Sequence, residues 1–398
     1  MGCHSEPRWR DTPVSFLKEG LLAPRPDQFA DILAMADEAR LKIELAIVTE
    51  GEDGPPSLER YSFDAGPDYY YPASTVKTCA AIAAALQLRE LQERVPAVRE
   101  LGLDAPLRFQ PLFEGETVEQ SDPSHLDGGT ITLGHDIRKV FLVSDNAAYN
   151  HLYEFAGNAY LNETMQRAGL TSARIFHRLS EFRSPADQLR TPRIELLRSG
   201  EPIVAIPERS SGITLTNQDL SGTSIGVGHT RGDDLVEGPM SFLQKNYISL
   251  RDLQDLHIML LRPDIAISGR PQGAGFSLRD EDRAFMAQVM AETPGASSDP
   301  LYDASSYPDD YSKFLAPGVW RVRPKKDVTI RDKVGRAYGF STTNSEVTDH
   351  RTGRSYFLTA TIYLNPNGIL NDGVYDYPRA DKFFADLGEV VTRHVFGR

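Results

Sequence analysis

The chain has only two cysteines in 398 residues, Cys3 and Cys79, which excludes a disulfide framework and any multi-cysteine zinc site. Long apolar runs are also missing. The longest run of small apolar residues, Cys79 to Leu86, is under half of what a membrane-spanning helix needs. Positive charge is in deficit, with 43 Lys and Arg against 56 Asp and Glu and a formal charge of −13. A surface of that sign cannot displace the counterions of nucleic acid and has no pull toward anionic lipid. None of the nine histidines forms His-Glu-x-x-His or a close His/Asp cluster with metal spacing, so no metal and no cofactor is expected. What remains is ordinary for a globular chain, 40% hydrophobic and 25% charged, and long enough for a large core.

Turn and breaker residues divide the chain. Residues 1–25 are rich in proline and charge and read as an arm or linker, with one domain over 26–398. Within it, the segment from Pro26 to Leu41 has helical spacing, and Lys42 to Thr49 with Leu58 to Phe63 reads as a hairpin. An Ala- and Leu-rich helix is expected from Ser74 to Glu93, and two more from Asp145 to Ala156 and Asn158 to Ala168. Residues 104–130 look irregular. Residues 190–247, with short β-prone pieces and many glycines, read as an insertion packed on the body. Helices follow from Ser249 and from Arg283, then strands at Val328 to Ser341 and Tyr356 to Leu364, and a last helix at Tyr377 to Val395. This order implies an α+β fold. Its antiparallel sheet would come from about 26–73 and 320–398, and its helical part from about 74–319, with a cleft between them.

Three short motifs carry chemistry. Ser74-Thr75-Val76-Lys77 puts a hydroxyl and an amine on one helix face, where a desolvated lysine can serve as base for a serine nucleophile. Alone it is weak, because Ser-x-x-Lys occurs by chance roughly once or twice in such a chain. Ser15 and Lys18 make another match. Ser144-Asp145-Asn146 is rarer and sits between an apolar run and a helix. There Ser144 can relay a proton and Asn146 can hold a substrate amide and Lys77. Lys333-Val334-Gly335 lies on an expected edge strand, where a lysine can orient Ser144 or merely block edge pairing.

Together, and in this order, the motifs resemble those of class A β-lactamases and the related DD-peptidases, penicillin-recognising serine hydrolases. The likeness extends to Asp145–Leu152, Leu161–Met165, Gly169-Leu170 and Ser249–Leu253, and covers about 27–185 and 247–396. It implies the β-lactamase/transpeptidase-like fold, with terminal helices flanking an antiparallel sheet beside a helical subdomain. It also implies an acyl-enzyme on Ser74, with Lys77, Ser144 and Lys333 catalytic and Asn146, Gly335 and Arg336 binding substrate. The substrate would be a β-lactam or a peptidoglycan-like amide. A DD-peptidase-like or other amide or ester hydrolase, and a non-catalytic binding protein on the same fold, are the alternatives. Gly2-Cys3 is similar to the end of a bacterial lipoprotein signal, which implies a lipid anchor at Cys3 and an extracytoplasmic location; a plain cytosolic start is the other reading.

The chain departs from this family in two places. Val334 stands where Lys-Thr-Gly has its threonine, so that hydrogen bond to a carboxylate is lost and Arg336 is the expected replacement. The family's Arg-x-Glu loop, whose glutamate activates the deacylating water, corresponds to Arg178-Leu179-Ser180-Glu181. Matching the arginines puts Ser180 at the glutamate's place, with Glu181 one residue late; Glu181 is the candidate base, or else a surface charge.

Overall fold

Lys42–Thr49 carries Ile43, Leu45, Ala46, Ile47 and Val48 in sequence because it is a central strand covered on both faces. Its hairpin partner Ser57–Asp64 is the sheet edge and exposes much of its length. The computed structural model describes residues 16–51, 54–271 and 273–397, so Cys3 and most of the arm lie outside the described residues. The main sheet has six antiparallel strands. Its order is Val328–Asp332, Phe340–Asp349, Ser355–Tyr363, Lys42–Thr49, Ser57–Asp64, with short Gly335–Ala337 also paired on Phe340–Asp349.

Two readings at the ends of the chain are corrected. The expected strand from Val328 to Ser341 is three pieces. It breaks at Lys333-Val334, and it reverses at Tyr338-Gly339, whose φ values of 57° and 84° make the primed turn that suits two twisted strands. The first helix stops at Ala34, not Leu41. Arg40 turns left-handed at φ 45°, Leu41 N closes on Ala36 O at 3.0 Å, and the Arg40 guanidinium reaches the carbonyls of Tyr69 and Gly222.

The helices Pro26–Ala34 and Tyr377–Phe396 cover one sheet face, with Phe29, Phe383, Phe384 and Leu387 in their shared core. The helix Ala316–Val322 crosses Tyr377–Phe396 at backbone contact, where a Cβ at Gly318 would lie 1.6 Å from Ala385 O. On the other side, Lys77–Arg94 is buried on every side through its first half, which its alanines permit by letting neighbours approach closely. Around it pack Leu133–Leu142, Asn146–Ala156, Asn158–Arg167 and Leu250–Leu261. Among the described residues no helix is long and apolar enough to cross a membrane.

Residues 104–130 are less irregular than their composition suggests. Pro106–Phe109 pairs with Ile131–Thr132 and with Ile194–Arg198, which forms a hairpin with Glu201–Ile206. The start of the 190–247 segment is thereby sewn into the helical side, and its later strand Gly228–Arg231 pairs with Ile369–Leu370 near the C-terminus.

Candidate active site

Ser74 stands on a 3-10 turn, Ala73–Val76, that runs directly into the helix Lys77–Arg94. The turn begins at Ala73 with φ 47°, a left-handed conformation that a residue with a Cβ adopts only under constraint from its surroundings. Ser74 is half-buried and faces a cleft of about 490 Å³ with Ser144, Asn146, Val334, Gly335 and Arg336. The three motifs, far apart in sequence, thus meet at one place.

Asp145 explains the geometry of the second motif. Its carboxylate caps the helix Asn146–Ala156 by accepting from Ala148 N at 2.8 Å, which fixes the residues on either side. Ser144, at φ 60°, turns its hydroxyl to Lys333 Nζ at 2.8 Å and to Lys77 Nζ at 3.4 Å. Lys77 also donates to the Ser144 carbonyl, to Asp145 O at 3.0 Å and to Asn146 Oδ1 at 2.6 Å.

Both lysines are fully buried, and burial disfavours the charged amine. Burial, with the Lys333 cation next, pushes Lys77 well below the ordinary lysine value, against a smaller upward pull from Asp145. The acceptors around its Nζ favour the ammonium; burial favours the amine, and the net direction is down. Burial likewise brings Lys333 down to about 7, opposed by Asp332.

Gly335 sits where the strand edge meets the turn that carries Ser74. A Cβ there would come within 2.5 Å of Pro72 O and 2.8 Å of Ser74 N, so only glycine lets the two backbones meet. The hairpin sets the direction of the next amide. Ala337 and Phe340 flank a two-residue turn and form the hydrogen-bonded pair, so Arg336 and Ser341 form the next, non-bonded pair. Lys333 N bonded to Asn344 O at 3.1 Å keeps the same alternation. The Arg336 N–H therefore points away from its sheet partner, toward the edge where Ser74 lies.

The Arg336 side chain is engaged within the protein. It pairs with Asp381, donates to Ser341 Oγ at 3.2 Å and lies over the rings of Phe314 and Tyr377. Its positive charge is thus shared with an internal acid before any substrate carboxylate arrives. Beside Val143 and Pro317, the cleft is also lined by Asp310, Tyr311, Lys313, Phe314 and Asp381. No motif announces these five; they arrive from loops and from the last helix.

Glu181 does not line this cleft. Its carboxylate is drawn the other way, to Arg183 Nε at 2.5 Å and Asn150 Nδ2 at 3.3 Å. Buried Arg178 anchors the loop through Glu154 at 2.7 Å and the Arg190 carbonyl, and Asn150 clasps Leu179 through both its amide N–H and its carbonyl. Ser180, at φ 55°, is left against the site, where its hydroxyl accepts from Asn146 Nδ2 at 2.7 Å. The arginine match finds this position; its charge comes out only from the surrounding partners.

A model described as the β-lactamase enzyme family matches residues 64–264, half of the chain. The chain belongs to that family, and its class is that of β-lactamase-like hydrolases with an α+β fold. Solved structures similar to it include a β-lactamase from Desulfarculus baarsii, at 16% identity and a TM-score of 0.49, covering 94% of this chain and 97% of that one. Another is a β-lactamase from Burkholderia vietnamiensis, at 16% identity and 0.48, covering 93% and 96%. A third, from Sphaerobacter thermophilus, has 13% identity and 0.47, covering 92% and 94%. No curated protein sequence matches the chain.

Proposed function

We propose that this protein is an amide hydrolase that forms an acyl-enzyme on Ser74 and releases the acyl group slowly. The observation that carries this reading is the chain of contacts from Lys77 through Ser144 to Lys333 beside Ser74. Lys77 as the amine takes the Ser74 proton while Oγ attacks the carbonyl carbon. The amides of Ser74 and Arg336 receive the oxyanion. Ser144 passes a proton to the leaving nitrogen and is resupplied from the lysines at its sides, and Asn146 holds the substrate amide.

Deacylation needs a base to activate water, and the position beside Asn146 holds a hydroxyl, not a carboxylate. The reading therefore favours a long-lived acyl-enzyme, as in a penicillin-binding protein, over rapid β-lactam turnover. The substrate class is a β-lactam or peptidoglycan-like amide, met outside the cytoplasm.

Intact mass after incubation with a β-lactam, alongside turnover of a chromogenic cephalosporin, tests the proposal. A persistent adduct in the wild type that is absent in Ser74→Ala supports it. Fast turnover abolished by Ser74→Ala would keep the nucleophile and refute slow release. No adduct with any β-lactam or activated ester would refute both.

A further inference from the structure

Beside the helix Leu133–Leu142, three ligand-type side chains converge that no sequence spacing links. His125 comes from a loop, His135 from the first turn of that helix and Asp299 from a distant loop. One ligand atom of each lies within 4.8 Å of the other two. His125 Nε2 is 3.8 Å from Asp299 Oδ2, and His135 Nδ1 is 3.7 Å from Asp299 Oδ1. The two imidazole rings stack at 4.3 Å.

Hydrogen bonds on the outer side of each ring decide its tautomer. His125 Nδ1 is 2.7 Å from the Thr130 carbonyl, which can only accept, so the proton is on Nδ1 and Nε2 keeps its lone pair. Ser124 Oγ donates its one proton to the Asp122 carboxylate at 2.6 Å. It must then accept from His135 Nε2 at 3.0 Å, which leaves the lone pair on Nδ1. Both bare nitrogens thus face the same carboxylate. Three electron-rich groups at this distance repel one another unless a cation lies between them.

We propose that His125 Nε2, His135 Nδ1 and an Asp299 oxygen bind a divalent transition cation of the zinc class, with a fourth position left to water. Two imidazoles and one carboxylate suit zinc and its neighbours better than calcium or magnesium, which prefer oxygen throughout. Ligand atoms around a tetrahedral zinc at about 2.0–2.1 Å sit roughly 3.3 Å apart, so the three groups, within 4.8 Å of one another here, must draw together onto the ion. Thr130, Ser124 and Asp122 are the outer partners that orient such ligands. The ion would pin two loops to the helix Leu133–Leu142. It would also lie next to Asp122, whose partner Lys139 reaches Asp145 at 3.9 Å, inside the Ser144-Asp145-Asn146 motif. The sequence expectation of no metal rested on spacing along the chain, which does not register a third ligand arriving from a remote loop.

The test is equilibrium dialysis of the chelator-stripped full chain against zinc chloride, with cobalt chloride as a spectroscopic probe. One equivalent of zinc, a tetrahedral-type cobalt absorption, and a zinc-dependent rise in melting temperature are expected. His125→Ala and Asp299→Asn, at partly exposed positions chosen to leave folding intact, should each weaken zinc binding by at least about tenfold and remove the cobalt band. Ser124→Ala, which releases the His135 tautomer, should weaken it less. Absence of binding at 100-fold excess zinc, or binding that both ligand variants leave unchanged, would overturn the proposal.

Discussion

Asn146 donates to the Ser180 hydroxyl at 2.7 Å while its own carbonyl oxygen accepts from Lys77 at 2.6 Å. Under the proposed acylation of Ser74, one amide thus joins Lys77, the base of that step, to the place where a deacylation base would stand. That place carries a neutral hydroxyl. The nearest acid in sequence, Glu181, is spent on Arg183 and Asn150.

Glu181→Gln should accordingly leave the deacylation rate within about twofold, since a general base normally contributes about 10²–10⁴ and this carboxylate is turned away. Ser180→Glu should raise deacylation by at least about tenfold, by bringing a carboxylate to Asn146. Decay of the mass-shifted adduct measures both. A large loss in Glu181→Gln would return Glu181 to the mechanism.

Ser74→Ala should abolish the adduct and lower any turnover by up to roughly 10⁶-fold, the order of loss when a serine nucleophile is removed. Lys77→Ala should slow acylation by about 10²–10⁴-fold. Because burial lowers the Lys77 amine, wild-type acylation should rise with pH and level off well below pH 10.5, where the amine is already deprotonated. A rise that continues to pH 10.5 would assign the limb to an ordinary lysine instead. Stopped-flow acylation rates across pH decide this.

Gly335→Ala should separate the strand edge from the turn that carries Ser74, because the added carbon would meet Pro72 O and Ser74 N. A stability loss of about 1–3 kcal/mol is expected from such overpacking, together with slower acylation. The same change at exposed Gly54, with open space for a Cβ, should do neither. Urea midpoints and acylation rates for the pair test the contact.

His257 is buried and His177 half-buried, each with one ring nitrogen against a main-chain carbonyl, and desolvation lowers both to about 4. In the unfolded chain they titrate near 6.5, so there protons bind the unfolded state first. Their contribution is therefore complete above pH 6.5 and is lost as pH falls toward 4. At pH 4.5 each should have cost about 2–3 kcal/mol relative to pH 7. His257→Gln should lower stability at pH 7 yet show a shallower fall on acidification. Urea unfolding at the two pH values reads the difference, and parallel falls would show that His257 does not titrate in this window.

Local chemistry was legible in the residues themselves. The hairpin from Lys42, the helices after Ser74 and Asp145, and the order of the three motifs follow from periodicity, capping and short spacing, which act within a few residues. Asp145 as helix cap is such a case, and it suffices to explain why Ser144 and Asn146 project together. The turn at Tyr338-Gly339 was missed because a non-glycine residue occupies one of its two left-handed positions.

Ser74 with Lys77 was visible from sequence because both lie on one turn of chain. Which groups face them was settled only by folding. The meeting of Ser144 with Lys333, the capture of Glu181 by Arg183, the pairing of Arg336 with Asp381 and the approach of Asp299 to two histidines all depend on long-range packing. A carboxylate's direction depends on competing partners at hydrogen-bond range, and those partners come from elements that are remote along the chain. Sequence therefore determined which chemical groups this protein owns, and tertiary structure decided which of them are free to react.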